Sequence, residues 1–172
     1  MKILLMGNPN VGKSTLFSRL TGINVVISNY AGTTVEYKKG SLKLGQEKHE
    51  LIDVPGTYSL EANSRAEEVA TDMLAQGDVV INVVDSTNLE RNLYMTLHLL
   101  EKNIPVIVAL NFWNETKHKG IDIDVKKLEK MLGVPVIPTD AVTGQGVKTL
   151  VNNLDKARAH SAERTEKQRW EK

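Results

Sequence analysis

Cysteine is absent from the 172 residues, which excludes disulfides and thiolate-held metals and fits a reducing compartment, the cytosol by default. An excess of charge of either sign is missing too. The 22 Lys and Arg against 21 Asp and Glu leave a net charge of +1, so nothing in the balance asks for nucleic acid or an anionic membrane as partner. No apolar run approaches the roughly 18 residues that span a bilayer, and the first residues enter a strand-like run rather than a signal-peptide pattern. The chain as it stands is expected to be soluble. There is no internal repeat and no low-complexity segment. With 25% charged and 41% hydrophobic residues, the length suits one sizeable core and is short for two domains.

What is present begins at residue 7. Gly7, Asn8, Pro9, Asn10, Val11, Gly12, Lys13 and Ser14 match G-x-x-x-x-G-K-[ST] in full, directly after an apolar run and directly before Thr15 and a helix-like segment. These flanks give the match its weight, because a strand must deliver the loop and a helix must point its first N–H groups at phosphate oxygens. Gly7 and Gly12 allow a tight loop close to the phosphates, Lys13 supplies a point charge, and the Ser14 hydroxyl is placed to ligate Mg2+. A nucleoside triphosphate is therefore the first ligand to consider, although the loop alone selects no base.

Apolar runs at 3–6, 79–84, 106–110 and 134–137 alternate with helix-period segments at 13–20, 64–75, 89–103, 125–132 and 147–159, the pattern of a parallel α/β sheet. Runs at 35–44 and 48–52 flank Gly45-Gln46 and predict a hairpin that adds one antiparallel edge strand. The expected fold is α/β, a Ras-like phosphate-loop sheet of about six mostly parallel strands flanked by helices, in one domain over residues 1–158. Segments 23–34 and 55–63 show neither period and are expected as mobile loops facing the phosphates. The charged tail, 159–172, reads as a solvated or frayed helix.

Four further elements extend the site. Asp53-Val54-Pro55-Gly56 after a strand is a D-x-x-G element that places a carboxylate near the Mg2+ shell and the Gly56 N–H near the terminal phosphate. In Gly32-Thr33-Thr34, Thr34 is expected to complete the Mg2+ shell while a γ-phosphate is present, with Thr33 the competing choice. Asn111-Phe112-Trp113-Asn114 stands where N-K-x-D would recognise guanine. Guanine offers two donors, N1–H and the 2-amino group; an aspartate accepts both, whereas the Asn114 amide accepts one and turns an NH2 toward the other. Losing a charged acceptor costs about 1.5–3 kcal/mol, so base preference is expected to relax toward xanthine or adenine, with Glu115 no ready substitute. Thr139-Asp140-Ala141-Val142 occupies the place of an S-A-K element, where a backbone N–H at Ala141 would meet the guanine 6-oxo group.

Together these residues resemble the translation-factor-related GTPases, and more closely the N-terminal G domain of the ferrous iron transport protein B family, FeoB. The likeness covers nearly the whole chain and rests on Gly7 to Ser14, on Asn29-Tyr30-Ala31-Gly32-Thr33-Thr34-Val35-Glu36, and on Asp53-Val54-Pro55-Gly56-Thr57-Tyr58-Ser59-Leu60 followed by Ala62-Asn63-Ser64. It rests also on Glu90-Arg91-Asn92-Leu93-Tyr94 and on Lys119-Gly120-Ile121-Asp122-Ile123-Asp124.

The resemblance implies a GTP- and GDP-binding switch on the cytoplasmic face of the inner membrane, regulating Fe2+ transport by a membrane permease domain downstream. It also implies a helical spacer that would begin in the tail, and oligomers formed through the full-length transporter. Catalysis is expected from Asn10, Lys13, Thr34 and Gly56 with Mg2+ as cofactor. A turn residue explains Asn10 on its own, but the resemblance implies that it ligates K+ beside the phosphates in place of an arginine finger. Thr57 stands where Ras-like proteins carry glutamine, so turnover is expected to be slow; Glu67 and Glu68 read as a solvated helix face. Two other readings stay open: a soluble GTPase of RNA or ribosome assembly, and a nucleotide-binding module with negligible turnover.

Overall fold

The computed structural model describes residues 1–22 and 25–157. Its strands are β1 (Lys2–Gly7), β2 (Val25–Asn29), β3 (Glu36–Leu44), β4 (Glu47–Asp53), β5 (Val79–Asp85), β6 (Val106–Asn111) and β7 (Val136–Pro138), and they form one sheet in the order β2-β3-β4-β1-β5-β6-β7. β1, β5 and β6 are buried on both faces, which is why they read as unbroken apolar runs rather than alternating ones. The carboxyl ends of β4, β1, β5, β6 and β7, whose pairings are parallel, lie along one edge of the sheet. Ligands of open α/β sheets gather beyond such an edge.

The expected hairpin is present, with β3 antiparallel to β4 from Leu44↔Glu47 onward. The loop expected over residues 23–34 is not a loop throughout. Val25–Asn29 pairs antiparallel with β3, from Val25↔Gly40 to Asn29↔Glu36, and becomes a seventh strand outside the hairpin; residues 23 and 24 lie outside the described residues. Its two central apolar residues face solvent, Val26 at 61% and Ile27 at 62%, so no buried alternation marks it in the sequence.

The helices are α1 (Lys13–Thr21), α2 (Arg65–Leu74), α3 (Leu89–Glu101), α4 (Trp113–His118), α5 (Val125–Leu132) and α6 (Val147–Asn152). Side-chain caps start two of them, Ser64 accepting from the Glu67 N–H and Asp124 from the Lys127 N–H. Two cores result. Leu4, Met6, Val80 and Val108 pack with residues of α2, α3 and α5 on one face, and Ile3, Leu5, Ile81 and Ile107 with Leu16, Phe17 and Leu150 of α1 and α6 on the other. α4 was not expected, and α6 is shorter than the predicted 147–159: a turn at Asn153 interrupts it before a last helical stretch at 154–157. The rest of that prediction and the charged tail lie outside the described residues. Among the described residues, no helix is long and apolar enough to cross a membrane.

Candidate nucleotide site

The phosphate loop leaves β1 at Gly7 and enters α1 at Lys13, as the motif requires. Asn8, Pro9, Asn10, Gly12, Lys13, Ser14 and Thr15 line a depression of about 360 Å³ that Gly56 closes from the other side. Gly12 caps α1 in the left-handed region at φ 82°, and a Cβ there would lie 2.3 Å from the Asn111 amide nitrogen. The first intrahelical bond runs from the Leu16 N–H to the Gly12 carbonyl, 3.0 Å, which leaves the N–H groups of Lys13, Ser14 and Thr15 at the helix start directed toward this cup. Asn10 is left-handed at φ 66°, exposed, and its amide has no protein partner among the described residues. Asn8 is instead buried, with its side-chain oxygen unpaired.

Lys13 donates to the Asp53 carboxylate and, at 2.6 Å, to the Val54 carbonyl. Lys13, Ser14 and Asp53 share a second, smaller depression with Pro55. A hydroxyl beside a carboxylate is a hard-oxygen donor set, which fits Mg2+. Beyond Gly56, the Thr57 N–H donates to the Gly7 carbonyl at 3.3 Å, and the residue is buried, 4% exposed.

The Thr33–Thr34 pair is not brought to the phosphate loop. Both line a separate depression with Gly32 and Arg65. The Thr33 hydroxyl donates to the Tyr30 carbonyl at 2.9 Å and accepts from the Val35 N–H at 3.1 Å, whereas Thr34 is exposed and has no side-chain partner among the described residues.

On the base side, Asn111 is fully buried at the end of β6 and acts as a strut. Its NH2 donates to the Val11 carbonyl at 2.9 Å, and its oxygen accepts the Ala141 N–H at 3.0 Å and the Thr139 hydroxyl at 3.5 Å. The phosphate loop and the loop after β7 are thereby held by one side chain. Asn114 sits in the first turn of α4, half-buried and with no partner among the described residues. Glu115 is turned to Lys119 at 2.7 Å, a hydrogen bond that holds the Lys119 ammonium above its ordinary value. Asp140 shapes its own loop, accepting from the Thr143 N–H at 2.9 Å, and Val142 is exposed.

Two contributors were missed or misjudged in the sequence. Glu67, expected as a solvated face, accepts from the Ser59 hydroxyl and the Asn63 N–H, both at 3.0 Å, and so braces the 57–63 segment against α2. The Ser64-x-x-Glu67 spacing was the available signal. Arg19 reaches from α1 to the loop after β7, and nothing in the sequence pattern announces it. Among the described residues, no cluster of three His, Cys, Asp or Glu is placed to hold a metal ion. A depression of about 880 Å³ lies at the opposite end of the sheet between the β3–β4 hairpin and α6 and brings none of these motifs together.

A family model described as ferrous iron transport protein B matches residues 1–154. The chain is 45% identical over 157 residues to the Fe(2+) transport protein A/Fe(2+) transporter FeoB fusion protein of Porphyromonas gingivalis, covering 90% of this chain and 19% of that protein. It is also similar to the solved structure of an S. thermophilus NFeoB mutant bound to GDP (TM-score 0.85, 44% identity, 94% of this chain and 62% of that one). The FeoB G-domain from Methanococcus jannaschii gives a TM-score of 0.80 at 43% identity, covering 92% and 97% of the two chains. The chain spans about a fifth of the length of the curated relatives it matches, 19% and 22% of two of them.

Proposed function

The chain belongs to the ferrous iron transport protein B family, matching its N-terminal G domain, and we propose that it is a GTP- and GDP-binding switch that hydrolyses GTP slowly and governs Fe2+ passage through a membrane domain of the same transporter. One observation carries the reading. Asn111 joins the Val11 carbonyl of the phosphate loop to the Ala141 N–H of the loop after β7, so the phosphate and base ends of one ligand site are built as a unit.

Within it, the N–H groups of residues 13–15 and the Lys13 ammonium hold the phosphates, which requires Lys13 to leave Asp53. Ser14 and Asp53 would hold Mg2+, with Thr34 joining when its loop closes; the unoccupied hydroxyl of Thr34, set against the engaged one of Thr33, supports that choice. Mg2+ would neutralise charge on the phosphate oxygens. Asn10 offers its amide oxygen for K+ beside the phosphates. The residue at the glutamine position, Thr57, is buried and has a side chain too short to orient an attacking water as glutamine does, which supports slow turnover. It equally favours a second reading, a nucleotide-binding module with negligible turnover, which single-turnover phosphate release would separate from the first.

Base preference is relaxed in this reading because the half-buried amide of Asn114 replaces a charged acceptor and Glu115 is committed to Lys119. Calorimetric titration of the wild type and Asn114→Asp with GTP, XTP and ATP tests the whole. GTP affinity is expected to rise about 10- to 100-fold in the variant, with XTP favoured less. A wild type that binds GTP tightly and excludes the others would overturn the base argument, and one that binds no purine triphosphate at millimolar concentration would overturn the site.

A further inference from the structure

α1 presents its N-terminus to the phosphate loop, and its last turn carries a cation to the base loop. Arg19 Nε donates to the Ala141 carbonyl at 2.7 Å, and Nη2 donates to the next carbonyl, that of Val142. The guanidinium thus forks onto two successive peptide units of a segment 122 residues away in sequence. The rest of that loop is closed on itself. The Asp140 N–H donates to the Gln145 carbonyl at 3.0 Å, the Gly144 N–H to the Asp140 carbonyl at 2.8 Å, and the Thr143 N–H to the Asp140 carboxylate at 2.9 Å.

A second feature makes room for the fork. Gly144 has φ 87°, and a Cβ there would lie 2.8 Å from Arg19 Nη1, so the glycine that turns the loop also leaves the space the guanidinium occupies.

The consequence follows from peptide geometry. In a trans peptide the C=O and N–H point in opposite directions, so anchoring the Ala141 carbonyl fixes the direction of the Val142 N–H. The Ala141 N–H is engaged by Asn111, and the Val142 N–H has no acceptor among the described residues. The Val142 N–H is thus the donor this loop leaves for a ligand; a 6-oxo purine would offer it an acceptor, and a 6-amino purine would oppose it with a donor.

We propose that Arg19 is a specificity-determining positioning residue: its fork onto the Ala141 and Val142 carbonyls holds the Val142 N–H of this loop in the orientation that favours 6-oxo over 6-amino purine nucleotides. The proposal rests on the nucleotide-switch reading above. It adds a side chain of the phosphate-binding helix to the determinants of base choice.

Titrating GDP, ADP and inorganic pyrophosphate with Mg2+ into the wild type, Arg19→Gln and Arg19→Lys tests it, with urea midpoints recorded to compare folding. In Arg19→Gln, GDP affinity is expected to fall about tenfold while ADP and pyrophosphate move less than about twofold, so the GDP/ADP ratio drops. Arg19→Lys, which keeps the charge and loses the fork, falls in between. Equal losses for GDP and ADP, or an unchanged ratio, would overturn the proposal while leaving the switch reading intact. A folded wild type that binds neither nucleotide would overturn both.

Discussion

At the scale of single residues, the side chains of the site divide into those that hold the protein together and those left free for a ligand. Asn111, Thr139 and Thr33 are engaged within the protein; Asn10, Thr34 and Asn114 have no side-chain partner among the described residues. Asn10 is the sharpest case, because its left-handed φ of 66° is a conformation asparagine tolerates for its own sake. A turn role and a cation-ligating role therefore make different predictions for glycine. Asn10→Gly keeps the turn and removes the amide oxygen. If Asn10 ligates K+, steady-state turnover is expected to be faster in K+ than in Na+ for the wild type and equal in the two salts for Asn10→Gly and Asn10→Ala. Retained K+ stimulation in the glycine variant would assign Asn10 to the turn alone.

The residue types of the phosphate loop and of D-x-x-G were legible because each position is dictated by an anion or by backbone approach. The Asn111 strut was legible as a motif position but not as a bond, since its partners lie 100 and 30 residues away and depend on how β6 is set between β5 and β7. Arg19 was not legible for the same reason.

At the scale of elements, what the sequence conveyed depended on burial. β1, β5 and β6 are apolar throughout because both faces are covered, and they stood out. β2 did not, because an edge strand with Val26 and Ile27 in solvent has no periodic pattern, although a Val-Val-Ile run is good strand material. α4 has six residues, and the residue before it, Phe112, is left-handed and gives no side-chain cap, so it carries neither length nor a start signal.

The segment between β4 and α2 is legible in part: it is irregular as expected, yet Glu67 ties it down from α2 through Ser59 and Asn63. A loop held by two side-chain bonds from one carboxylate opens more readily when that carboxylate is lost. In Glu67→Ala the Asn63 amide is expected to exchange with solvent about tenfold faster, with Glu67→Gln intermediate and the strands unchanged. Hydrogen exchange read by mass spectrometry checks this. Unaltered exchange over residues 59–63 would mean that these bonds do not restrain the segment.

At the scale of the whole molecule, the cup at the carboxyl edge of the sheet joins both cores. β1 contributes Leu4 and Met6 to one and Ile3 and Leu5 to the other before it delivers Gly7, and α1 fixes Lys13 to Ser14 while packing Leu16 and Phe17 beneath the sheet. A ligand that grips the loop therefore adds to the stability of the domain as a unit. At a free concentration of one hundred times its dissociation constant, such a ligand adds about 2.7 kcal/mol. For a domain of this size that corresponds to a rise in Tm of roughly 5–11 °C.

Mg·GDP is accordingly expected to raise the Tm by that amount in a concentration-dependent way. Lys13→Ala should remove most of the rise and also lower the unliganded Tm by several degrees, since the Lys13 and Asp53 side chains are only 11% and 7% exposed and the substitution leaves the Asp53 carboxylate buried without its partner. Were Lys13→Ala to leave the unliganded Tm unchanged instead, the pair would contribute little to the empty fold, and nucleotide entry would take over a weak contact rather than break a stabilising one.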